Sequence, residues 1–191
     1  MMSRPWIVRM AVRAPGVGGV GVLVVRGALT LDLGVGRRTR RLGPIELRIA
    51  APREVVFDVI EGPYLRTPRA MAGKLRVWER GEDMVLAEHL TKIGPLTAST
   101  LEVVRFERPE RITFRLVRGP VPHVVESYGL HEVDGGTRFV YAGELGTDLW
   151  ALGRLVATWA APRWERVVAE SLKLIVTEAE RRAARGRAAS P

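Results

Sequence analysis

Cysteine is absent from this chain, lysine occurs three times and serine five times. The lack of cysteine excludes disulfides, thiol chemistry and thiolate metal sites, and it fits a reducing cytoplasm. No serine lies in a Gly-x-Ser-x-Gly elbow, so the sequence does not support a serine hydrolase. We therefore expect a cytoplasmic protein whose function depends on neither thiols nor a serine nucleophile.

Histidine is also scarce, and His89, His123 and His131 are the remaining candidates for a metal site. His123 and His131 share a predicted strand face but are separated by roughly 26 Å at the rise of a strand. We find no carboxylates at the spacing of metal ligands. The sequence therefore predicts neither a metal nor another cofactor.

The formal net charge of +9 is concentrated at the two ends of the chain. Residues 1–43 contain eight arginines and one acid, residues 181–191 add four arginines, and residues 44–180 are close to neutral. Basic ends of this kind more often solvate a terminus or touch an anionic surface than read nucleic acid. We therefore predict no nucleic-acid binding.

Residues 1–43 form a basic leader that is rich in glycine and apolar residues. The apolar run from Ala14 to Val25 is shorter than the roughly 20 residues of a spanning helix, and no convincing signal-peptide cleavage site follows it. Residues 16–21 fit the pattern G-x-G-x-x-G, but no βαβ unit follows, so they do not predict a nucleotide site. Two interpretations stay open, a poorly ordered leader or a peripheral contact of residues 1–43 with a membrane.

The remainder of the chain predicts one α+β domain over residues 44–182, followed by a flexible basic tail over residues 183–191. Alternation from Ile45 to Ile49 predicts a strand, Pro52 opens a helix that Gly62-Pro63 ends, and Thr67–Lys74 predicts a second short helix. Short turns separate six further strands, which indicates an antiparallel meander. These strands are predicted at Leu75–Arg80, Met84–Ile93, Leu96–Glu107, Arg111–Arg118, His123–Val133 and Thr137–Leu145.

A long helix is predicted from Thr147 to about Arg185. After Pro162 it has one apolar face, whereas before Pro162 apolar residues occur on more than one side. Pro162 removes a backbone hydrogen bond, so we expect a kink or a division there. We expect Asp148 to cap this helix or to complement its dipole.

Three segments resemble the START-like (SRPBCC) superfamily, and in particular its polyketide cyclase/dehydrase-like branch. They are Ile49–Ile60 (IAAPREVVFDVI), Phe106–Phe114 (FERPERITF) and Val133–Arg138 (VDGGTR). The resemblance implies a helix-grip fold, a curved antiparallel sheet of about seven strands around a long C-terminal helix, with two short helices after the first strand. It also implies a cavity between sheet and helix, in a family whose members bind lipids, polyketides, isoprenoid quinones and plant hormones. It carries no catalytic residue that can be transferred.

Strand parity indicates which side chains face that cavity. Glu126 shares a face with Tyr128, and Glu102 shares a face with Val104 and Phe106. In Met84–Ile93 the parity is ambiguous, because Leu86 and Leu90 favour an inward Glu88, whereas Val85 and Ala87 favour an inward His89. The predicted ligand-binding residues are His89, Phe106, Phe114, Tyr128, Phe139, Tyr141, Trp150, Leu152 and Trp159.

Glu102 and Glu126 are the candidate catalytic residues. A carboxyl group in apolar surroundings favours its protonated form, which suits general acid–base chemistry or a hydrogen bond to a ligand carbonyl. The competing interpretation is that these glutamates pair with arginines such as Arg105 and Arg115, or face solvent.

We predict that the chain binds a hydrophobic small molecule, such as a lipid, an isoprenoid or a polyketide-like compound, for carriage, sensing or sequestration. The alternative is an enzyme of the cyclase or dehydratase type that uses a cavity carboxylate to enolise a poly-β-ketone. A third interpretation is an interaction module, in which the apolar segment Trp150–Trp159 docks a protein or a membrane.

Overall fold

The computed structural model describes residues 17–93 and 95–188. It contains one seven-stranded antiparallel sheet in the order β1-β7-β6-β5-β4-β3-β2. The strands are β1 (Arg38–Ile49), β2 (Leu75–Arg80), β3 (Met84–Ile93), β4 (Leu96–Glu107), β5 (Arg111–Arg118), β6 (His123–Val133) and β7 (Gly136–Thr147). The helices are α1 (Val17–Val25), α2 (Arg53–Leu65), a 3-10 turn (Arg69–Met71) and α3 (Trp150–Ala188). This arrangement confirms the predicted helix-grip α+β fold.

Local turn chemistry explains why the strands fall where the sequence predicts them. β6 and β7 pair up to Val133 opposite Gly136, which leaves the two-residue turn Asp134-Gly135. Gly135 has a φ of +76°, a conformation that glycine adopts without strain and that tight hairpins require. β2 to β6 have the predicted bounds, and β7 extends slightly beyond its predicted range.

Two elements extend further than the sequence predicted. β1 begins at Arg38 instead of Ile45, because it pairs along β7 as far as Thr147, with a register shift between Leu42 and Ile45. α2 continues through Gly62-Pro63 to Leu65, which buries Tyr64. The second predicted helix, Thr67–Lys74, is only a short 3-10 turn.

The long helix α3 continues through Pro162 as one helix, so the division that was one of the two expected effects of Pro162 does not occur. It packs mainly on β1, β7 and α2. Its predicted apolar face after Pro162 is confirmed, with Val168, Leu172 and Ala179 buried. The half before Pro162 differs, because the residues that it buries are small: Gly153, Ala157, Ala160 and Ala161.

Residues 26–37, which we name the strap, cross one end of the sheet before β1 begins. The carbonyl of Arg26 accepts from Ser99 N, and the Thr30 hydroxyl exchanges hydrogen bonds with the backbone of Gly119. At its other end, the carbonyls of Val35 and Gly36 accept from Leu149 N and Trp150 N. The strap therefore joins the starts of β4 and α3.

None of the helices in the described part of the chain is both long enough and apolar enough to cross a membrane.

Candidate functional site

Glu126 is a buried carboxyl group that faces the helices from β6. It is 6% exposed, and its Oε1 accepts hydrogen bonds from Tyr141 Oη at 2.7 Å and Trp164 Nε1 at 2.8 Å. Tyr141 lies on the neighbouring strand β7, and Trp164 lies on α3, so this carboxyl links the sheet to the long helix. Among the described residues, no arginine or lysine forms an ion pair with it.

A second polar group lies on β3 and β4, which are adjacent strands. His89 Nδ1 is 3.2 Å from Glu102 Oε2, and His89 Nε2 is 3.0 Å from the hydroxyl of Tyr64 on α2. Glu102 is 6% exposed, whereas the His89 side chain keeps 26% of its surface accessible. Solvent therefore reaches this group at the histidine.

Aromatic rings line the interior beside these polar groups. Tyr128 lies with ring centroids 4.8 Å from Phe114, 5.1 Å from Phe139 and 6.0 Å from Tyr141. Phe106 lies 5.7 Å from Tyr64. Rings at these distances pack edge to face or tilted, which gives an apolar interior with few polar atoms.

Burial sets the charge state of the interior groups. It raises the pKa of Glu126 to about 7, against the hydrogen bonds from Tyr141 and Trp164, which lower it. Burial is the largest single effect on His89 and lowers its pKa, but the contact with Glu102 and the charges of Glu102 and Glu126 together raise that pKa above its ordinary value. The interior therefore holds a carboxyl group that gains and loses a proton near neutral pH.

The structure resolves the competing interpretations of the two candidate acids. Neither Glu102 nor Glu126 faces solvent, and Arg105 pairs with Asp83 instead. The ambiguous parity of β3 is also resolved, because Val85 and Ala87 are buried on the face that carries His89. Glu88 lies on the opposite face, where it accepts from Ser99 and from Trp78.

The predicted ligand-binding residues divide into two sets. Six of them lie together in the interior: His89, Phe106, Phe114, Tyr128, Phe139 and Tyr141. Trp150, Leu152 and Trp159 lie elsewhere, on the outer surface of α3, and each is more than two-fifths exposed. The structure therefore does not bring these three side chains to the two acids.

Two interior residues lie outside the predicted site, Tyr64 and Trp164. Val56, Ile60 and Tyr64 recur at the four-residue spacing of one helix face, a signal that is lost when the helix is predicted to end at Gly62-Pro63. Trp164 lies on the predicted apolar face of α3. Its indole N–H is a donor that usually finds a partner when buried, and this is the signal that could have assigned Trp164 to the site.

Asp148 lies at the start of α3, where an acid can complement the helix dipole, but its hydrogen bonds go to the strap and do not cap the helix. Its carboxylate accepts from the backbone N–H groups of Leu33 and Gly34 at 2.7 and 2.9 Å, and from Arg37 Nε at 2.8 Å. These hydrogen bonds, that of Arg37 first, lower the pKa of Asp148 to about 2. Asp148 therefore holds the strap against the start of α3.

Two surface cavities lie at opposite ends of α3. The larger, of about 460 Å³, is lined by Arg38, Thr39, Arg40, Thr147, Arg154, Ala157 and Thr158. The smaller, of about 300 Å³, lies near Pro52, Gly135 and Arg187. Among residues 17–93 and 95–188, no three histidine or acidic side chains are grouped as metal ligands would be.

Known proteins share this architecture. The aromatase/cyclase Zhui from Streptomyces sp. R1128 has a TM-score of 0.57 at 16% identity, over 76% of this chain and 95% of that chain. TTHA0849 from Thermus thermophilus has a TM-score of 0.54 at 19% identity, over 81% of this chain and 100% of that chain. At these identities the likeness concerns the fold alone.

A larger, two-domain protein also shares this fold. The di-domain ARO/CYC StfQ from the steffimycin biosynthetic pathway has a TM-score of 0.62 at 15% identity, over 78% of this chain and 52% of that chain. This chain therefore spans about half the length of StfQ. No curated protein matches this chain by sequence.

The family is established by sequence. Residues 45–180 match the family model described as polyketide cyclase / dehydrase and lipid transport, and this range contains the sheet from the second half of β1 onward, α2 and most of α3. The chain therefore belongs to the polyketide cyclase/dehydrase and lipid transport family, within the helix-grip superfamily of START-like proteins.

Proposed function

We propose that this protein binds an apolar small molecule, such as a lipid, an isoprenoid or a polyketide-like compound, between the sheet and the helices. The observation that carries the proposal is Glu126, a carboxyl group that is 6% exposed and has no cationic partner among the described residues. Burying a carboxyl group costs free energy, and the hydrogen bonds from Tyr141 and Trp164 offset only part of this cost, since burial still raises the pKa of Glu126. A ligand that accepts its proton in a hydrogen bond accounts for its presence.

The geometry at Glu126 suits a donor to a ligand oxygen. Both protein donors bind Oε1, so Oε2 is the oxygen that carries the proton when the carboxyl group is neutral. A ligand carbonyl or hydroxyl accepts this proton, while the rings of Phe114 and Tyr128 bury the apolar remainder of the ligand. The His89–Glu102 pair supplies a second polar contact.

Native mass spectrometry of protein purified from its own host tests this proposal. We expect the wild type to retain a lipid-like adduct. Glu126→Leu removes the hydrogen-bond donor and is expected to lower ligand affinity about tenfold. Glu126→Gln keeps a donor in the same place, because its amide resembles the neutral carboxyl group, and is expected to retain the adduct.

The matched control is Glu132→Gln, which changes an exposed carboxylate on the same strand and is expected to leave the adduct unchanged. Consistently empty wild-type protein under several purification conditions contradicts the proposal. So does a Glu126→Leu variant that retains as much adduct as the wild type.

Catalysis of the cyclase or dehydratase type is the second candidate function. The observation in its favour is the burial of Glu126, which raises the pKa of this carboxyl group to about 7, near the pH at which a general acid–base group is most effective. If this protein catalyses such a reaction with Glu126, the Glu126→Gln variant is expected to turn over a poly-β-ketone mimic about a hundredfold more slowly. The amide still binds the mimic but transfers no proton. Unchanged turnover in this variant excludes Glu126 as the catalytic group.

A further inference from the structure

The strap exposes a row of large apolar side chains. Leu29, Leu31, Leu33 and Val35 occupy every second position, and each is between 38% and 54% exposed. The backbone of the strap is irregular, with a φ of +64° at Gly34 and +62° at Gly36, so it is the exposure of these four side chains that shows them on the surface. The strap is held to the sheet through its backbone and Thr30, so its apolar row lies on the outside.

The first half of α3 continues this exposed surface. Its buried face consists of glycine and alanine, whereas Trp150, Leu152, Leu155, Val156 and Trp159 are between 44% and 70% exposed. A surface helix of a globular protein normally turns its large apolar residues inward. We name the exposed apolar side chains of residues 29–35 and 150–159 the apolar end.

The strap and the helix form one continuous surface. Leu149 N and Trp150 N donate to the carbonyls of Val35 and Gly36, so the apolar row of the strap meets the first turn of α3. Large apolar side chains that are exposed together in one patch mark interaction sites.

Arginines without acidic partners border the apolar end. Arg38, Arg40 and Arg154 line the 460 Å³ surface cavity, and none of them takes part in an ion pair within the part of the chain that the structure describes. The nearby acids Asp32 and Asp148 are both paired with Arg37. The border of the apolar end is therefore cationic.

The positive charge at the border of the apolar end distinguishes between the partners that could bind this surface. A second copy of the chain would bring the same unpaired arginines together, and like charges repel. An anionic bilayer instead offers three matching layers: acyl chains for leucine, the interface for tryptophan, and headgroup phosphates for arginine.

We propose that the apolar end docks on an anionic lipid bilayer, with Arg38, Arg40 and Arg154 binding a headgroup phosphate at their cavity. Tryptophan is enriched at the interface between bilayer and water. The guanidinium carbon of Arg163 lies 4.2 Å from the centre of the Trp159 ring, which adds a positive charge beside this tryptophan. The proposal is independent of the interior site, because none of the interior residues takes part in the docking surface.

Vesicle flotation of the full chain tests the proposal. We expect the protein to float with vesicles of phosphatidylcholine and phosphatidylglycerol, and not with vesicles of phosphatidylcholine alone. Arg154→Gln is expected to weaken this binding about fivefold, and Leu155→Ser about tenfold. Binding is also expected to weaken as salt is raised.

Two matched controls lie further along the same helix. Leu174→Ser changes a leucine that is 71% exposed, against 70% for Leu155, and Arg185→Gln changes an exposed arginine in the last turns. Both are expected to bind vesicles as the wild type does, and circular dichroism confirms that all four variants are folded.

Other outcomes overturn the proposal. Absence of flotation with the anionic vesicles excludes the bilayer as the partner. Equal binding to both vesicle types excludes the phosphate contact. Equal losses in Leu155→Ser and Leu174→Ser exclude this surface, and a dimer that Leu155→Ser dissociates, detected by light scattering, assigns the surface to a second copy.

Discussion

Asp148→Ala is expected to lower the free energy of unfolding at pH 7 by roughly 3 kcal/mol and to release the strap. The carboxylate is 5% exposed, and it accepts from Leu33 N, Gly34 N and the Arg37 side chain. Alanine leaves these donors without their acceptor, so the strap loses the hydrogen bonds that attach it to the start of α3. Urea unfolding measures the free energy, and limited trypsin digestion at Arg37 and Arg38 measures the release.

The matched control is Asp32→Ala. Asp32 pairs with the same Arg37 but is 54% exposed, and exposed ion pairs contribute only about 0–1 kcal/mol. We expect little loss of stability and unchanged trypsin digestion in this variant. Equal losses in both variants, or an Asp148→Ala protein that resists trypsin as the wild type does, would falsify this account of the strap.

The contribution of Asp148 has a defined pH dependence. Its pKa is about 2 in the folded protein and lies below its ordinary value of 3.8. The stabilisation is therefore complete above pH 3.8 and is lost as the pH falls toward 2.

The wild type is expected to lose stability as the pH rises from 4.5 to 7, because the unfolded chain releases the proton of Glu126 in this range whereas the folded protein retains it. The pKa of Glu126 is raised from 4.5 to about 7, with burial as the largest cause. The folded state therefore binds more protons than the unfolded state in this range, and stability falls with pH. The shift corresponds to a loss of about 3 kcal/mol.

Glu126→Gln isolates this contribution. The amide cannot ionise, so we expect the stability of the variant relative to the wild type to increase by about 3 kcal/mol between pH 4.5 and 8. His89, Glu102, Tyr64, Tyr128 and Tyr141 face the same interior, and they remain in both proteins. Urea unfolding at several pH values measures the difference.

Glu132→Gln again serves as the control, because its carboxylate is exposed on the same strand. Its unfolding free energy is expected to follow that of the wild type at every pH. Parallel curves for the wild type and Glu126→Gln would show that Glu126 ionises with its ordinary pKa.

The fold was predictable because its signals are local. Asp134-Gly135-Gly136 specifies a hairpin within a few residues, and the alternation of β6 places Glu126 and Tyr128 on one face without reference to the rest of the chain. The parity of β3 was not predictable in the same way, because both of its faces carry apolar residues. Packing against Tyr64 of α2 decides that His89 lies inside.

The features that the sequence did not predict depend on contacts between distant residues. Asp148 binds backbone N–H groups of the strap, and such groups leave no trace in the sequence. In the first half of α3, small and large apolar residues occupy opposite faces. Hydrophobicity alone favours burial of the large ones, whereas close approach of α3 to the sheet selects alanine and glycine.

The pairing of β1 with β7 sets an order for folding. Arg38 pairs with Thr147 and Ile49 with Thr137, whereas β2 to β6 each pair with the next strand in the chain. Contacts between neighbours in sequence close early, and contacts across a long separation close late. During synthesis, β1 therefore leaves the ribosome before the other strands of this sheet, but it finds its partner only after β7 has followed.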